Sequence, residues 1–380
     1  MRDSILSCHH LAFRAAARAF VATEVAPHYP DWERTGTVDR GVWRAAGRAG
    51  LLGLDVPTEY GGAGLADFRY HLLLAEELAQ YRGVGFNVHN DVVAPYLVRL
   101  TDPEQRRRWL PGFCSGKTVT AVAMTEPDGG SDLAAMRTTA TRDGDTYVVN
   151  GVKTLITNGT SADLVVVAAV TDAAQVRRGG GVSLLVLEHG MPGFERGGAL
   201  DTIGLRAAGT ASLSFDHVHV PACNLLGAEG RGMTYLQENL TRERLSIAGA
   251  AVAGAETVLA ETITYCQRRH AFGQPIGSFQ HNRFALAEMH TELAVTRTYV
   301  DQCVLDFNAA SLTPITAAQA KWWATDVQRR TVDRCLQLHG GAGYLRDCPA
   351  ARAFVDTRVM PIYGGTNEVM KEVIGRSLGV

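Results

Sequence analysis

The chain has 380 residues, 46% of them hydrophobic and 20% charged, with 37 Lys+Arg against 39 Asp+Glu. That composition excludes wholesale disorder, and the length calls for two or three packed domains of roughly 100–200 residues each. A net charge of −2 gives no global pull toward nucleic acid or an anionic membrane surface. Only Lys117, Lys153, Lys321 and Lys371 are lysines, which leaves 33 arginines; with the many Ala and Gly this reads as coding bias. The longest apolar run, Leu164–Val170, is far short of the ~20 residues of a membrane span. The opening Met1-Arg-Asp-Ser has no apolar stretch or cleavage site of a secretory signal. The 7 cysteines are odd in number and never spaced CxxC, so neither a disulfide framework nor a metal site is expected. A cytoplasmic setting is expected.

Periodicity divides the chain into three. Over residues 1–117 it is helical: Phe13, Ala17, Phe20, Val21 and Val25 recur at three- and four-residue steps, and Pro27 and Pro30 are expected to stop that helix. Asp39 is placed to cap a second helix, and 66–80 reads as a third. Over 118–226 the period becomes two. Strands are expected at 118–124, 147–149, 153–156, 164–170, 182–187 and 212–220, with Asp143-Gly144 and Asn150-Gly151 as hairpin turns. Over 227–380 long helices return, at 233–269, 279–307 and 316–338, broken near Gly273-Gln-Pro275, Pro314 and Gly340-Gly341. The expected architecture is mainly α with a central β domain: N-terminal helices, a middle antiparallel barrel or sandwich, and a C-terminal four-helix bundle.

Two decoys fail on context. Gly112-Phe-Cys-Ser-Gly-Lys-Thr118 is one residue short of a phosphate-binding loop and precedes a strand rather than a helix. His217 and His219 share a strand face but have no third ligand nearby in sequence, so solvated histidines are the better reading.

Four segments carry chemistry. Met124-Thr-Glu-Pro-Asp-Gly-Gly-Ser-Asp132 leaves a strand with glycines that let backbone N–H groups approach an anion, and with hydroxyls at Thr125 and Ser131. Asn150-Gly-Val-Lys-Thr-Leu-Ile-Thr-Asn-Gly159 follows in the same sheet. Gln337-Leu-His-Gly-Gly341 ends a long helix, and Ile362-Tyr-Gly-Gly-Thr-Asn-Glu368 lies near the C-terminus. Together with Arg269-His-Ala-Phe-Gly273, and in this order, they resemble the acyl-CoA dehydrogenase pattern TEPxxGSD, NGxKxxITNG, RxxFG, QxxGG and IYxGTxE across essentially the whole chain.

The resemblance implies FAD in a cleft between the middle sheet and the C-terminal bundle. By motif, Met124, Thr125 and Ser131 would line the flavin and pyrophosphate, and Leu155, Ile156 and Thr157 would meet the ring. Arg269, Gln280, Gln337, Gly340, Gly341, Thr366 and Glu368 would complete the dinucleotide site, part of it on a neighbouring subunit. A homo-oligomer, a tetramer or a dimer, follows from that. The resemblance also implies an acyl thioester substrate, on coenzyme A or acyl carrier protein, in fatty acid metabolism. Its electron acceptor would be an electron-transferring flavoprotein.

Removing a proton α to a thioester requires a carboxylate at the α-carbon and donors for the enolate-like oxygen. Many family members place that glutamate directly after the Tyr of IYxGT; here the position is Gly364. Glu243-Arg244 matches the helix placement of the isovaleryl-CoA and long-chain branches, which makes Glu243 the expected base and Arg244 its orienting partner. Ser131, Thr241, Arg244 and Gly365 are the expected substrate contacts, and Asn90, Asp91, Val93, Pro95 and Tyr96 the candidates for the acyl pocket. Leu155 stands where several members carry an aromatic. Three readings follow: a dehydrogenase; an oxidase or flavin monooxygenase on the same fold; or a flavin- or acyl-binding protein without turnover, suggested by Gly364.

Overall fold

Six helices open the computed structural model, which describes residues 5–176 and 179–379. Met1–Ser4, on which the signal reading rests, lie outside them. The helices are α1 (Cys8–Phe20), α2 (Tyr29–Thr35), α3 (Arg40–Arg48), α4 (Arg69–Glu77), α5 (Ala94–Arg99) and α6 (Pro103–Cys114). Asp39 caps α3 by accepting from Gly41 N. Asp102 accepts from the N–H groups of Glu104 and Gln105, each at 2.8 Å, while Gln105 reaches back to Asp102 N at 2.9 Å. One expectation is corrected. Pro30 does not stop a helix; it sits in the first turn of α2, where its missing N–H is no loss. The chain leaves α1 through a wide turn, Val21–Val25.

The middle region holds β1 (Thr120–Ala123), β2 (Thr139–Asp143), β3 (Thr146–Ile156), β4 (Leu164–Val170), β5 (Val182–Glu188), β6 (Phe194–Arg196), β7 (Ala211–Pro221) and β8 (Leu225–Leu226). They form one sheet ordered β6-β7-β3-β2-β4-β5-β8, with β1 also paired to β4. Asp143-Gly144 turns β2 into β3, with Gly144 at φ 57°. Asn150-Gly151 is not a hairpin: β3 runs straight through it, with a bulge against β7. A Cβ at Gly151 would lie 2.7 Å from Thr138 Cα, and Asn150 Oδ1 accepts from His217 N at 2.8 Å. Both residues therefore serve the strand rather than a turn. β1 and β2 run parallel to β4, and the other pairs are antiparallel. All of β4 is buried. Its alternate residues enter two different cores, Val166 and Ala168 one, Val165 and Val167 the other. That explains its unbroken apolar run.

The C-terminal part begins with α7 (Gly232–Arg268), turns through a small hairpin of β9 (His270–Ala271) and β10 (Gln274–Pro275), and continues as α8 (Gln280–Asn308), α9 (Pro314–His339), α10 (Pro349–Thr357) and α11 (Asn367–Ser377). α7 packs against α4, α8, α9 and α10. Among the described residues it is the one helix with the length and composition to cross a membrane, and 61% of its most apolar window is buried inside the fold. Small residues allow that packing: a Cβ at Gly249 would meet Leu72 Cδ1.

Candidate active site

Glu243 lies early in α7 and is 6% exposed. One turn earlier on the same face, Asn239 Nδ2 donates to Glu243 Oε1 at 3.1 Å. Tyr96 of α5 donates its hydroxyl to the same oxygen at 3.4 Å. Burial lifts the Glu243 carboxyl to about 7, against the opposing pull of Asn239, Tyr96 and the Arg244 charge. A carboxylate poised there is suited to abstract a proton near neutrality. Arg244 is buried too, and its Nε has no hydrogen-bond partner among the described residues. Thr241 is half-buried on the same turn.

Lys321 of α9 is fully buried and ties the C-terminal motif to this region. Its Nζ donates to Gly365 O at 2.7 Å and to Asn367 Oδ1 at 3.0 Å. Burial, then the Arg244 charge, bring its pKa down to about 7. Gly364 has φ 63°, and a Cβ there would sit 2.3 Å from Cδ1 of Ile247, one turn beyond Glu243 on α7. The left-handed backbone disfavours a side chain at 364, and Ile247 would have to shift to admit one. Thr366 caps α11 by accepting from Val369 N at 3.2 Å, and exposed Glu368 occupies that helix's first turn.

At the sheet, the loop after β1 is fixed from beneath. Lys153 Nζ donates to Met124 O at 3.1 Å and to Glu126 Oε1 at 2.8 Å. Glu126 also accepts from the N–H groups of Arg137 at 2.6 Å and Thr138 at 2.9 Å. Although burial works the other way, these donors hold the Glu126 carboxyl down to about 2. Thr125 O accepts from Thr154 N at 2.9 Å. Ser131 is exposed and Thr157 half-buried. Leu155 is 60% exposed in a left-handed backbone, φ 58°. Ile156 is corrected: its side chain is buried in the sheet core, so only its main chain is available at the open edge.

The remaining predicted residues lie elsewhere. Arg269 follows α7, Gln280 opens α8, Gln337 is in the last turn of α9, and Gly340 and Gly341 follow it; all are exposed. At 1.5 Å per residue, Arg269 sits roughly 39 Å along the helix axis from Glu243. Arg269 forms no ion pair among the described residues, and a Cβ at Gly340 or Gly341 would meet nothing. The two groups fit the two parts of a flavin dinucleotide. Hydroxyls and an exposed aliphatic edge suit the ring; an unpaired guanidinium and an open glycine turn suit the phosphates and adenosine.

The acyl-pocket candidates divide as well. Asn90 donates to Leu51 O at 2.8 Å and accepts from Gly53 N at 2.9 Å, so it holds a loop. Asp91 is spent on His71 and Ser246, Val93 is fully buried in a core, and Tyr96 alone of the five hydrogen-bonds Glu243. Sequence reasoning missed three residues. Asn239 stood four positions before Glu243, and Lys321 was one of only four lysines, on an Ala-rich helix. Glu126, inside a motif, is spaced from Lys153 by nothing a sequence shows.

Family models for the N-terminal, middle and C-terminal domains of acyl-CoA dehydrogenase match residues 7–117, 121–218 and 230–379. A long-chain specific acyl-CoA dehydrogenase, mitochondrial, of Sus scrofa is 43% identical over 376 residues, covering 98% of this chain and 87% of the relative. A crystal structure of acyl-CoA dehydrogenase from Geobacillus kaustophilus superposes with a TM-score of 0.96 at 46% identity, covering 99% of each chain. A glutaryl-CoA dehydrogenase from Mycobacterium smegmatis, solved with FADH2, gives 0.92 at 29% identity, covering 99% of this chain and 96% of the other. With the helix–sheet–helix order and a buried carboxylate beside the family motifs, these likenesses favour dehydrogenation over the oxidase, monooxygenase and non-catalytic readings. The chain belongs to the acyl-CoA dehydrogenase family, FAD-dependent oxidoreductases that dehydrogenate acyl-CoA thioesters.

Proposed function

We propose that Glu243 is the base that removes the α-proton of the acyl-CoA. The observation that carries this is a carboxylate on α7 buried to a pKa of about 7, with Gly364, which carries no carboxylate, facing Ile247 one turn along the same helix. Bound FAD supplies the acceptor for the β-hydride. The chain's own residues do the rest. Glu243 takes the proton, and the burial of its carboxyl among Tyr96, Asn239 and Arg244 excludes water from it. Arg244, buried at the next position of α7 with its Nε unpartnered, is assigned to orient the site. Ser131, Thr241 and the Gly365 backbone are assigned to the thioester and its arm. Met124, Thr125, Leu155, Thr157 and the Ile156 main chain are assigned to the ring, with Thr366 and Glu368 beside it. Arg269, Gln280, Gln337, Gly340 and Gly341 are assigned to the rest of the dinucleotide on a partner copy.

Long-chain acyl-CoA is the proposed substrate, supported by the Sus scrofa likeness, and an electron-transferring flavoprotein the proposed acceptor. A homo-oligomer, proposed as a tetramer, would cover the exposed Phe272, Tyr344 and Leu345. A reducing cytoplasm suits seven free cysteines. The test is anaerobic: acyl-CoA should bleach the yellow wild-type protein, and Glu243→Gln should keep FAD yet bleach at least ~100-fold more slowly. Wild-type bleaching by that variant would overturn the assignment.

A further inference from the structure

We infer that Asn239 and Tyr96 are positioning residues that fix Oε1 of Glu243 and leave Oε2 to receive the substrate proton. This rests on Glu243 being the base. Both donors converge on one oxygen, at 3.1 and 3.4 Å. No described group donates to Oε2.

The direction of the Asn239 amide is forced. Its Nδ2 lies between two acceptors, Glu243 Oε1 and Val92 O, the latter at 3.0 Å. A flipped amide would set a carbonyl oxygen against both. Asn239 is 3% exposed and anchored to the wide turn Val88–Val93, so the amide belongs to the frame rather than to solvent. Tyr96 is equally buried, and burial keeps its hydroxyl un-ionised and able to donate.

An oxygen that already accepts two hydrogen bonds is the poorer base, because its lone pairs are engaged. The α-C–H bond breaks, its electron pair stays on the α-carbon as the enolate forms, and the proton bonds to Oε2. The resulting acid keeps its carbonyl at Oε1, where the same two donors remain satisfied. Neither residue has to move between the two protonation states.

The surrounding charges leave the assignment clear. Arg244 lies on the same helix and its charge pulls the Glu243 carboxyl down, while Lys321 of α9 feels the Arg244 charge as repulsion. Arg99 and Glu238 pair at 2.9 Å across α5 and α7. From α4 and the Val88–Val93 turn, His71 and Asp91 are engaged with each other and with Arg242, which also pairs with Asp55.

The experiment is the pH profile of anaerobic flavin reduction by acyl-CoA in the FAD-loaded protein. Asn239→Leu removes one donor from Oε1, so the acid limb should move to higher pH by on the order of one unit. Tyr96→Phe, a one-atom deletion that keeps the packing, should move it the same way by less. Asn239→Gln, which retains an amide donor, should move it back toward the wild-type position. A limb that stays in place while the rate falls at every pH would mean a structural role only, and would overturn the inference. Should Asn239→Leu not fold, Tyr96→Phe decides by the same criterion. Glu243→Gln separates the two levels: if it is inactive and the limb of the donor variants is unmoved, only this inference fails; if it reduces flavin normally, the base assignment fails as well.

Discussion

At residue 364 a backbone angle decides where a carboxylate can stand. Gly364 adopts φ 63° and looks onto Ile247, one turn from Glu243, so the C-terminal loop and α7 face the same space. Gly364→Ala should cost about 1–2 kcal/mol and lower the urea midpoint of unfolding, with more lost if Ile247 cannot yield. A midpoint equal to wild type would show that the loop relaxes freely. Glu243 gives a second expectation, with its sign set by linkage. Its folded-state pKa of about 7 exceeds the ordinary 4.5, so the fold binds the proton more tightly than the unfolded chain does. The penalty for ionising it is absent below pH 4.5, grows between 4.5 and 7, and is complete above 7. Glu243→Gln should therefore be more stable than wild type at pH 8, by on the order of 3 kcal/mol. The difference should vanish near pH 4. Thermal midpoints at the two pH values measure it.

Between elements, the loop that would receive the flavin is set by a buried ion pair rather than by its glycines. Lys153 of β3 is inaccessible and satisfies both Glu126 and the Met124 carbonyl. Removing one partner of such a pair leaves an uncompensated buried charge. Lys153→Met should cost about 3–5 kcal/mol by urea titration and speed FAD release, followed by the return of flavin fluorescence. Unchanged FAD retention in a destabilised variant would separate the loop from cofactor binding. The same strand carries Leu155 at its exposed end. β3 thus links the ion pair beneath the loop to the edge above it.

For the whole molecule, the length of α7 is the governing fact. It holds Glu243 about a third of the way along and Arg269 just beyond its far end, a separation of roughly 39 Å that favours the proposed sharing of one dinucleotide site between two copies. A site shared between copies predicts complementation. Glu243→Gln and Arg269→Glu subunits, each inactive alone, should regain acyl-CoA-dependent flavin reduction when co-assembled. One interface site then combines Glu243 of one subunit with Arg269 of the other. With two types mixed evenly in a dimeric unit, about a quarter of all sites should recover. No recovery from a co-assembled mixture would place both residues at one subunit's site. Sedimentation of the wild type at micromolar concentration tests the assembly itself.

The sequence by itself determined the order helices, sheet, helices, the span of α7, α8 and α9, the cap at Asp39, the turn at Asp143-Gly144 and the family motifs. Each of these is written locally, in apolar period, capping residue or motif spacing. It also singled out Glu243, because the empty position at Gly364 and the Glu-Arg pair are both visible in one chain. Only the tertiary structure decided that Asn150-Gly151 continues a strand, since the partner that needs the bulge, β7, lies far along the chain. It alone turned Ile156 inward, gave Asn90 to a loop, brought Asn239 and Tyr96 onto Glu243, and tied Lys321 to the C-terminal motif. These outcomes depend on which groups burial leaves with a partner, and burial is a property of packing between distant segments.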